Sequence, residues 1–417
     1  MDRGHHLVGM RTSCSPRSRL ATRFVLVGGT FLCLSSLSSH RPRAAVMTSP
    51  AAALSRRNLA RSSVAAVSEA ARPGQVEPLF TFGVVADVQW ADVDDGWNYK
   101  KTVRRCYRGA LRMLSQAVDW WHGLPVAPVY IAQLGDLIDG LNARRKQSRP
   151  ALESALEVLR RAPCPSVNLV GNHELYNFNR AQLSQASWLR HGDREFYSFK
   201  PVEGWRVVVL DPYQISLVGH ARDDPRRRLA IKLLAEKNPN IRPDGQDDEW
   251  FQGLDGLDKR FVPYNGGLGE EQLAWLRSEL VAAVAADEKV LLMSHVILDP
   301  RACGGSTMLW DYQEALDIIR SKNVRGCVVA VLCGHDHRGN YLQDEYGVHH
   351  VTFQSPLNKG DDGFAFGAVQ VGPSSLEIFG PKIDDLLPSV EGRPAATPCM
   401  GCGGSVPCET ITLEFPS

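Results

Sequence analysis

Acidic residues are absent from Arg3 to Ser68, and lysine is absent from the first 72 residues, where eleven arginines face only Asp2 and Glu69. A segment of net +9 rich in Arg, Ser and Ala does not have the composition of a packed domain. It reads as a targeting or processing leader, residues 1–72. Long hydrophobic runs are missing as well. The uncharged run Phe24–Leu37 has 14 residues and follows Arg17, Arg19 and Arg23, as in a secretory signal. It is too short for a membrane span, which needs ~20. The stretch ALSRRNLARSSVAAVSEAAR after it looks like an organellar transit peptide or the second half of a two-part leader. Delivery to an organelle is therefore the expectation, with a secretory or endomembrane route and a disordered extension without a sorting role as alternatives.

Basic excess is missing from the rest of the chain. Residues 73–417 carry a net −8, which argues against a nucleic-acid partner, because a phosphate backbone is held by a basic surface. The composition, 44% hydrophobic and 22% charged, supports a sizeable core, and 417 residues allow two domains or one large domain with extensions. Ten cysteines are present, and those in apolar surroundings read as buried free thiols. In the tail, CMGCGGSVPC spaces Cys399, Cys402 and Cys408 as C-x2-C-x5-C, but three thiols with no adjacent histidine do not complete a zinc set. A metal site, a disulfide or redox pair and a weakly structured tail all stay open.

From residue 75 onward, short apolar β-branched runs alternate with helical stripes, the signature of an α/β sheet protein. The expected strands are Leu79–Ala86, Pro128–Gln133, Ser166–Leu169, Trp205–Leu210, Lys289–Met293 and Cys327–Leu332. Their nearly continuous hydrophobicity predicts burial on both faces. Helices are expected over Asn98–Trp121, Ala151–Arg160, Glu270–Val284 and Trp310–Ser321, each with an apolar stripe at three-to-four-residue spacing. After Val348, the segments VHHVTF, FAFGAVQV and SLEIFG suggest antiparallel strands closing a second sheet. Residues 219–268 are the least regular and read as a surface insertion, either decoration or an active-site wall.

Five polar clusters follow expected strands, where α/β sheets place their sites: Asp87 to Gln89, Gly135-Asp136, Gly171-Asn172-His173-Glu174, Ser294-His295 and Gly334-His335-Asp336-His337. Taken singly, His295 reads as a core imidazole and Asp87 or Asp136 as a helix cap. Asp336 alone reads as a group orienting a neighbouring histidine, and Asp92, Asp94 and Asp95 as a solvated loop. Taken in order, the clusters read as one site. Its oxygens and imidazole nitrogens suit divalent manganese, iron or zinc, and seven candidate ligands exceed what one ion needs. Asp136 is the natural bridge, and two cations roughly 3.5–4 Å apart can hold a hydroxide and neutralise a phosphoryl group.

These motifs resemble the calcineurin-like metallophosphoesterase superfamily, with its pattern D-x-H, GD, GNH[ED], H and GHxH. Within it the chain looks like the manganese-dependent ADP-ribose/CDP-alcohol diphosphatases. The resemblance runs from Phe80 to Val371 through FGVVADVQWAD, DGWNY, RRCYRGAL, IAQLGDLIDG, GNHELYNFNR, FYSF, the NGG of PYNGGLGEEQLAWL, SHVI, GHDHRGNY and EYGVHHV. It implies a four-layer α/β/β/α domain over residues 76–382, followed by a Gly/Pro/Cys-containing extension, 383–417. It also implies two divalent cations, manganese first, with magnesium, iron or zinc as alternatives. One ion would lie on Asp87, Gln89, Asp136 and His337, and the other on Asp136, Asn172, His295 and His335. His173 would act on the leaving oxygen or the phosphoryl charge. Gln89 replaces the usual histidine, as this subgroup does, and a neutral oxygen there favours manganese. Asp139 stands where an iron–tyrosinate relative would carry tyrosine, so the purple acid phosphatase subclass is not expected.

The implied reaction is hydrolysis of a pyrophosphate bond in a nucleoside diphosphate bearing a sugar or alcohol arm. Phe196, Tyr197, Phe199, Tyr213 and Tyr264 are candidate nucleotide contacts, and Arg180 is a candidate partner for the distal phosphate. FYSF also alternates like an edge strand against the core. The rival readings are a cyclic-nucleotide phosphodiesterase or phosphomonoesterase on the same centre and, from another class, a noncatalytic scaffold, which a missing ligand would mark.

Overall fold

The computed structural model describes residues 77–189, 195–241, 249–399 and 408–415. The expected leader and Cys402 lie outside them. Among the described residues thirteen strands build the two large sheets: β1 (Phe80–Val85), β2 (Ile131–Gln133), β3 (Ser166–Asn168), β4 (Tyr197–Phe199), β5 (Trp205–Val209), β6 (Lys289–Ser294), β7 (Val328–Cys333), β8 (Asn340–Gln343), β9 (His349–Thr352), β10 (Gly367–Val371), β11 (Ser375–Gly380), β12 (Thr397–Pro398) and β13 (Glu409–Glu414). One sheet has the order β12-β13-β11-β10-β1-β2-β3 and the other β8-β9-β7-β6-β5-β4. Strands β1, β2 and β3 run parallel, as do β5, β6, β7 and β9.

Alternate residues explain why the central strands are apolar along most of their length. Phe80, Phe82 and Val84 of one sheet share a buried cluster with Trp205, Val207, Val209, Leu291 and Met293 of the other. Val85, Val208 and Leu292, on the opposite faces, pack with helical residues such as Leu114, Val118, Leu276 and Leu280. Two sheets therefore meet face to face with helices outside, the expected α/β/β/α layering.

The principal helices are α1 (Tyr107–His122), α2 (Ser148–Leu159), α3 (Asn172–Asn177), α4 (Pro225–Lys237), α5 (Gly269–Ala285) and α6 (Tyr312–Ile319). The expected start of α1 at Asn98 is corrected: Asn98 Oδ1 accepts the N–H groups of Thr102 and Val103 at 2.8 and 3.2 Å. That side chain closes a turn in competition with helix, and Gly96–Trp97 pairs with Arg104–Arg105 instead. The insertion is more regular than its sequence suggests. Asp224 caps α4 through Arg226 N–H, with proline in the first turn, and the helix buries Ala230 and Leu234 against Phe261 and Trp310.

The segments after Val348 do not form one new sheet. VHHVTF becomes β9, parallel to β7, whereas FAFGAVQV and SLEIFG become β10 and β11, which extend the sheet of β1. The domain also passes residue 382, because β13 pairs with β11 along Ser375–Gly380. Cys399 and Cys408 are both disulfide-bonded, and Cys399 N–H donates to Cys408 O at 2.8 Å, so the tail around them is tied to the sheet edge. Among the described residues no helix is long and apolar enough to cross a membrane.

Candidate active site

The parallel strands deliver their following loops to one end of the sandwich. Asp87 and Gln89 follow β1, Asp136 follows β2, Asn172 follows β3, His295 follows β6, and His335 and His337 follow β7. Four of these seven, Asp87, Gln89, Asp136 and His335, have φ of 52°, 47°, 56° and 70°. Left-handed backbone costs a non-glycine residue roughly 1–3 kcal/mol, so the surroundings must impose it. Two glycines show how tightly the loops meet. A Cβ at Gly171 would collide with the Asp136 carboxylate, and one at Gly334 with the Asp87 carboxylate.

Asp136 stands between two groups of ligand candidates. Its Oδ2 lies 3.1 Å from Gln89 Nε2 and 3.4 Å from His295 Nε2. On one side, His337 Nε2 is 2.9 Å from Gln89 Nε2 and 3.5 Å from Asp87 Oδ1. On the other, His295 Nε2 is 3.1 Å from His335 Nδ1, and Tyr213 OH donates to Asn172 Oδ1 at 3.2 Å. Asp87 Oδ1 and Gln89 Oε1 are buried with no hydrogen-bond partner. Buried acceptors facing no donor are costly, and a cation satisfies them. Asp136, His295 and His335 present atoms within 4.8 Å of one another, all buried, so the donor set fits divalent metal.

Charge coupling follows this packing. Burial alone would raise the Asp136 pKa, but His295 and His173 hold it below the usual carboxylate range. Burial would likewise pull His295 down, yet Asp136 lifts it to about 9. Burial and the crowded imidazole of His295 keep His335 well below its ordinary value.

Glu174, named in its motif but given no role from sequence, turns out to be the brace of the centre. Its two oxygens accept N–H groups from Gly171, Asp136 and Leu137 at 2.9, 2.8 and 2.8 Å and from Ile138 at 3.3 Å. One buried carboxylate thus ties the Gly-Asp turn to the start of α3. Burial and the nearby Asp136 push it up to about 7, against the pull of those N–H donors.

His173 occupies the rim. Its Nε2 is 3.9 Å from Asp136 Oδ2, while its Nδ1 meets two competing partners, Gly140 N–H at 2.8 Å and Asp139 Oδ2 at 3.3 Å. The N–H suits a neutral ring and the carboxylate an imidazolium. Burial lowers the His173 pKa, but Asp136 and Asp139 raise it to about 8. Asp139 was legible from sequence only as a missing tyrosine; its place beside His173 needed the loop's turn.

The expected substrate contacts divide. Tyr264 lies at the site, its ring 5.8 Å from that of His335. Tyr213 also reaches it, but fully buried, where its hydroxyl holds Asn172 instead of facing a nucleotide. Phe196 is buried against Trp275 at 4.8 Å, and the partly buried Phe199 packs edge-on to Tyr130 at 5.4 Å, against the core beneath the edge strand. Tyr197 lies on β4 with Phe199 and lines a separate cavity of about 330 Å³. Arg180 is corrected outright: its guanidinium is buried and donates to Asp211 at 2.6 and 3.2 Å, an internal ion pair in place of a phosphate contact. Tyr176, outside the expected contacts, is 40% exposed with its ring 5.2 Å from His173. The only signal for it was its place four residues after Asn172 on the helix that opens at the site.

The sequence pattern of the calcineurin-like phosphoesterases matches residues 80–339. The chain belongs to this family. Among its relatives are proteins named manganese-dependent ADP-ribose/CDP-alcohol diphosphatase. The one from Oryza sativa subsp. japonica is 39% identical over 308 residues, covering 73% of this chain and 92% of that protein. The one from Xenopus tropicalis is 36% identical over 324 residues, with the same coverages of 73% and 92%. The human relative is 35% identical over 319 residues, covering 73% and 90%. A solved dimetal phosphatase from Danio rerio superposes with a TM-score of 0.69 at 29% identity, over 82% of this chain and 100% of that one. The stretch that matches the calcineurin-like phosphoesterases spans the loops carrying Asp87, Gln89, Asp136, Asn172, His295, His335 and His337.

Proposed function

We propose that this calcineurin-like phosphoesterase hydrolyses the pyrophosphate bond of ADP-ribose-like or CDP-alcohol-like substrates, using two divalent cations, manganese foremost. Water adds to one phosphorus, the bridging P–O bond breaks, and a nucleoside monophosphate leaves with a phosphorylated sugar or alcohol. The observation that carries the reading is Asp136, one buried carboxylate facing both ligand groups, beside unpartnered oxygens of Asp87 and Gln89. Asp87, Gln89 and His337 would hold one ion, and Asn172, His295 and His335 the other, with Asp136 shared. When bound, the cations supply Lewis acidity toward the phosphate oxygens and lower the pKa of water. His173, outside the ligand set, would protonate the departing oxygen.

Product analysis on the purified chain tests this reading. ADP-ribose, CDP-choline, cyclic AMP and a phosphomonoester are supplied in turn with manganese. AMP with ribose 5-phosphate, or CMP with phosphocholine, is expected; cleavage of the cyclic nucleotide or the monoester alone would reassign the activity. Gln89→His places a nitrogen donor in the first group. Hydrolysis survives, and either the manganese preference or the balance between diphosphatase and phosphodiesterase action shifts. An unchanged metal ranking and an unchanged substrate profile would refute this role for Gln89.

At the rim, Tyr176 and Tyr264 are the aromatic surfaces available to a base or sugar. Stacking on an aromatic contributes about 1–3 kcal/mol per base. Tyr176→Ala is expected to raise KM roughly tenfold with a smaller change in kcat. Steady-state kinetics would refute the contact if KM stayed at the wild-type value.

A further inference from the structure

We infer that Asn265 is a positioning residue for the metal centre: it determines which nitrogen of His335 is free to take a cation. The inference rests on the reading of His335 as a ligand. Asn265 lies 70 residues before His335, at the return of the insertion, outside all five sequence clusters. It is fully buried, and its own contacts fix the direction of its amide. Nδ2 donates to the carbonyls of Arg260 and Ser306 at 2.9 and 2.8 Å, and a carbonyl can only accept. Oδ1 therefore occupies the other end, 2.7 Å from His335 Nε2.

An amide oxygen also only accepts, so Nε2 of His335 carries the proton and Nδ1 keeps its lone pair. Across from it, His295 Nδ1 lies 2.8 Å from the Leu134 carbonyl, which makes that nitrogen a donor too and leaves Nε2 as the position that a proton, in the metal-free protein, or a cation takes. These two nitrogens face each other at 3.1 Å, with Asp136 Oδ2 3.4 Å from the His295 one. Lone pairs brought together in this way repel unless a proton or a cation lies among them. Leu134 sets one imidazole through its backbone and Asn265 sets the other through its side chain, so only the second can be edited by mutation.

Ring-nitrogen partners of this kind typically change metal affinity by about 10–100-fold when removed. The test titrates Mn²⁺ into the metal-free full chain, following bound ion by electron paramagnetic resonance and calorimetry, for the wild type, Asn265→Ala, His335→Ala and Trp310→Phe. Trp310 Nε1 donates to the Arg260 carbonyl at 2.9 Å, so its replacement loosens the same loop without touching His335. Two ions bound by the wild type and one by His335→Ala support the ligand reading. Asn265→Ala is then expected to weaken that same ion about 10–100-fold while the other stays tight, with Trp310→Phe near wild type.

Nitrogen-15 spectra of the metal-free wild type should show His335 protonated on Nε2, a signature that loop packing alone would not move. Retention of both ions at wild-type affinity by Asn265→Ala overturns the inference while leaving His335 a ligand. Equal weakening by Trp310→Phe also overturns it, by assigning the effect to the loop. Proton on Nδ1 in the wild type overturns it even if the variants fail to fold. Two tight ions in His335→Ala overturn the ligand reading and the inference with it.

Discussion

Asp136→Ala is expected to abolish turnover to background and to remove tight uptake of both manganese ions, a larger loss than replacement of any other ligand candidate. The reason is geometric: every other member of the set belongs to one side, whereas Asp136 Oδ2 faces Gln89 and His295 together. Calorimetric titration of Mn²⁺ alongside product analysis checks it. Survival of one ion at wild-type affinity would show that the carboxylate does not bridge. The same substitution has a consequence in the metal-free protein. Asp136 holds His295 at about 9 against an ordinary 6.5. A folded-state pKa raised above the unfolded value contributes stability that is fully present below pH 6.5 and is lost as pH rises through about 9.

The chelated wild type should therefore melt at lower temperature as pH goes from 6.5 to 9. Asp136→Ala should flatten this portion of the curve. Manganese affinity must move the opposite way. An ion entering His295 displaces its proton, so uptake strengthens as pH rises over the same window. Thermal melts with chelator and binding titrations across pH 6–9 would separate the two trends. Parallel trends would mean that proton and cation do not compete for one nitrogen.

How much of this was legible depends on where the information resides. Strands such as Lys289–Ser294 and Val328–Cys333 announce themselves because their interiors are apolar on both faces, and the polar residues that follow them mark the site for the same reason: a chain leaving a buried strand places a carboxylate or imidazole most readily at its end. The partition of VHHVTF, FAFGAVQV and SLEIFG between two sheets was not legible, since a short alternating strand carries no record of which edge accepts it. Arg180 illustrates the limit for single residues. A lone arginine after a catalytic motif suits a phosphate as well as a buried carboxylate, and the choice was made by Asp211, which reaches it from another strand end. Asn265 was visible as part of a motif but mute as to purpose, because its partner is fixed by the path of the insertion and not by any local pattern.

His173→Asn should lower kcat by about 10²–10⁴-fold while leaving the uptake of two manganese ions near wild type, because general acid catalysis contributes on that scale and His173 is no ligand in the arrangement proposed. The pH profile supplies the sharper test. Asp136 and Asp139 hold His173 at about 8, and an acid must keep its proton to give it, so kcat should fall on the alkaline side. Two cations beside the imidazolium would favour its neutral form and move that limb below 8. Asp139→Asn removes a carboxylate 3.3 Å from Nδ1 and should move the limb lower still, since Gly140 N–H, which favours the neutral ring, is then left without a competitor. In His173→Asn this limb should be missing. A limb that persists in that variant, or one unmoved by Asp139→Asn, would transfer the proton to another donor and leave His173 as a group that stabilises phosphoryl charge without ionising.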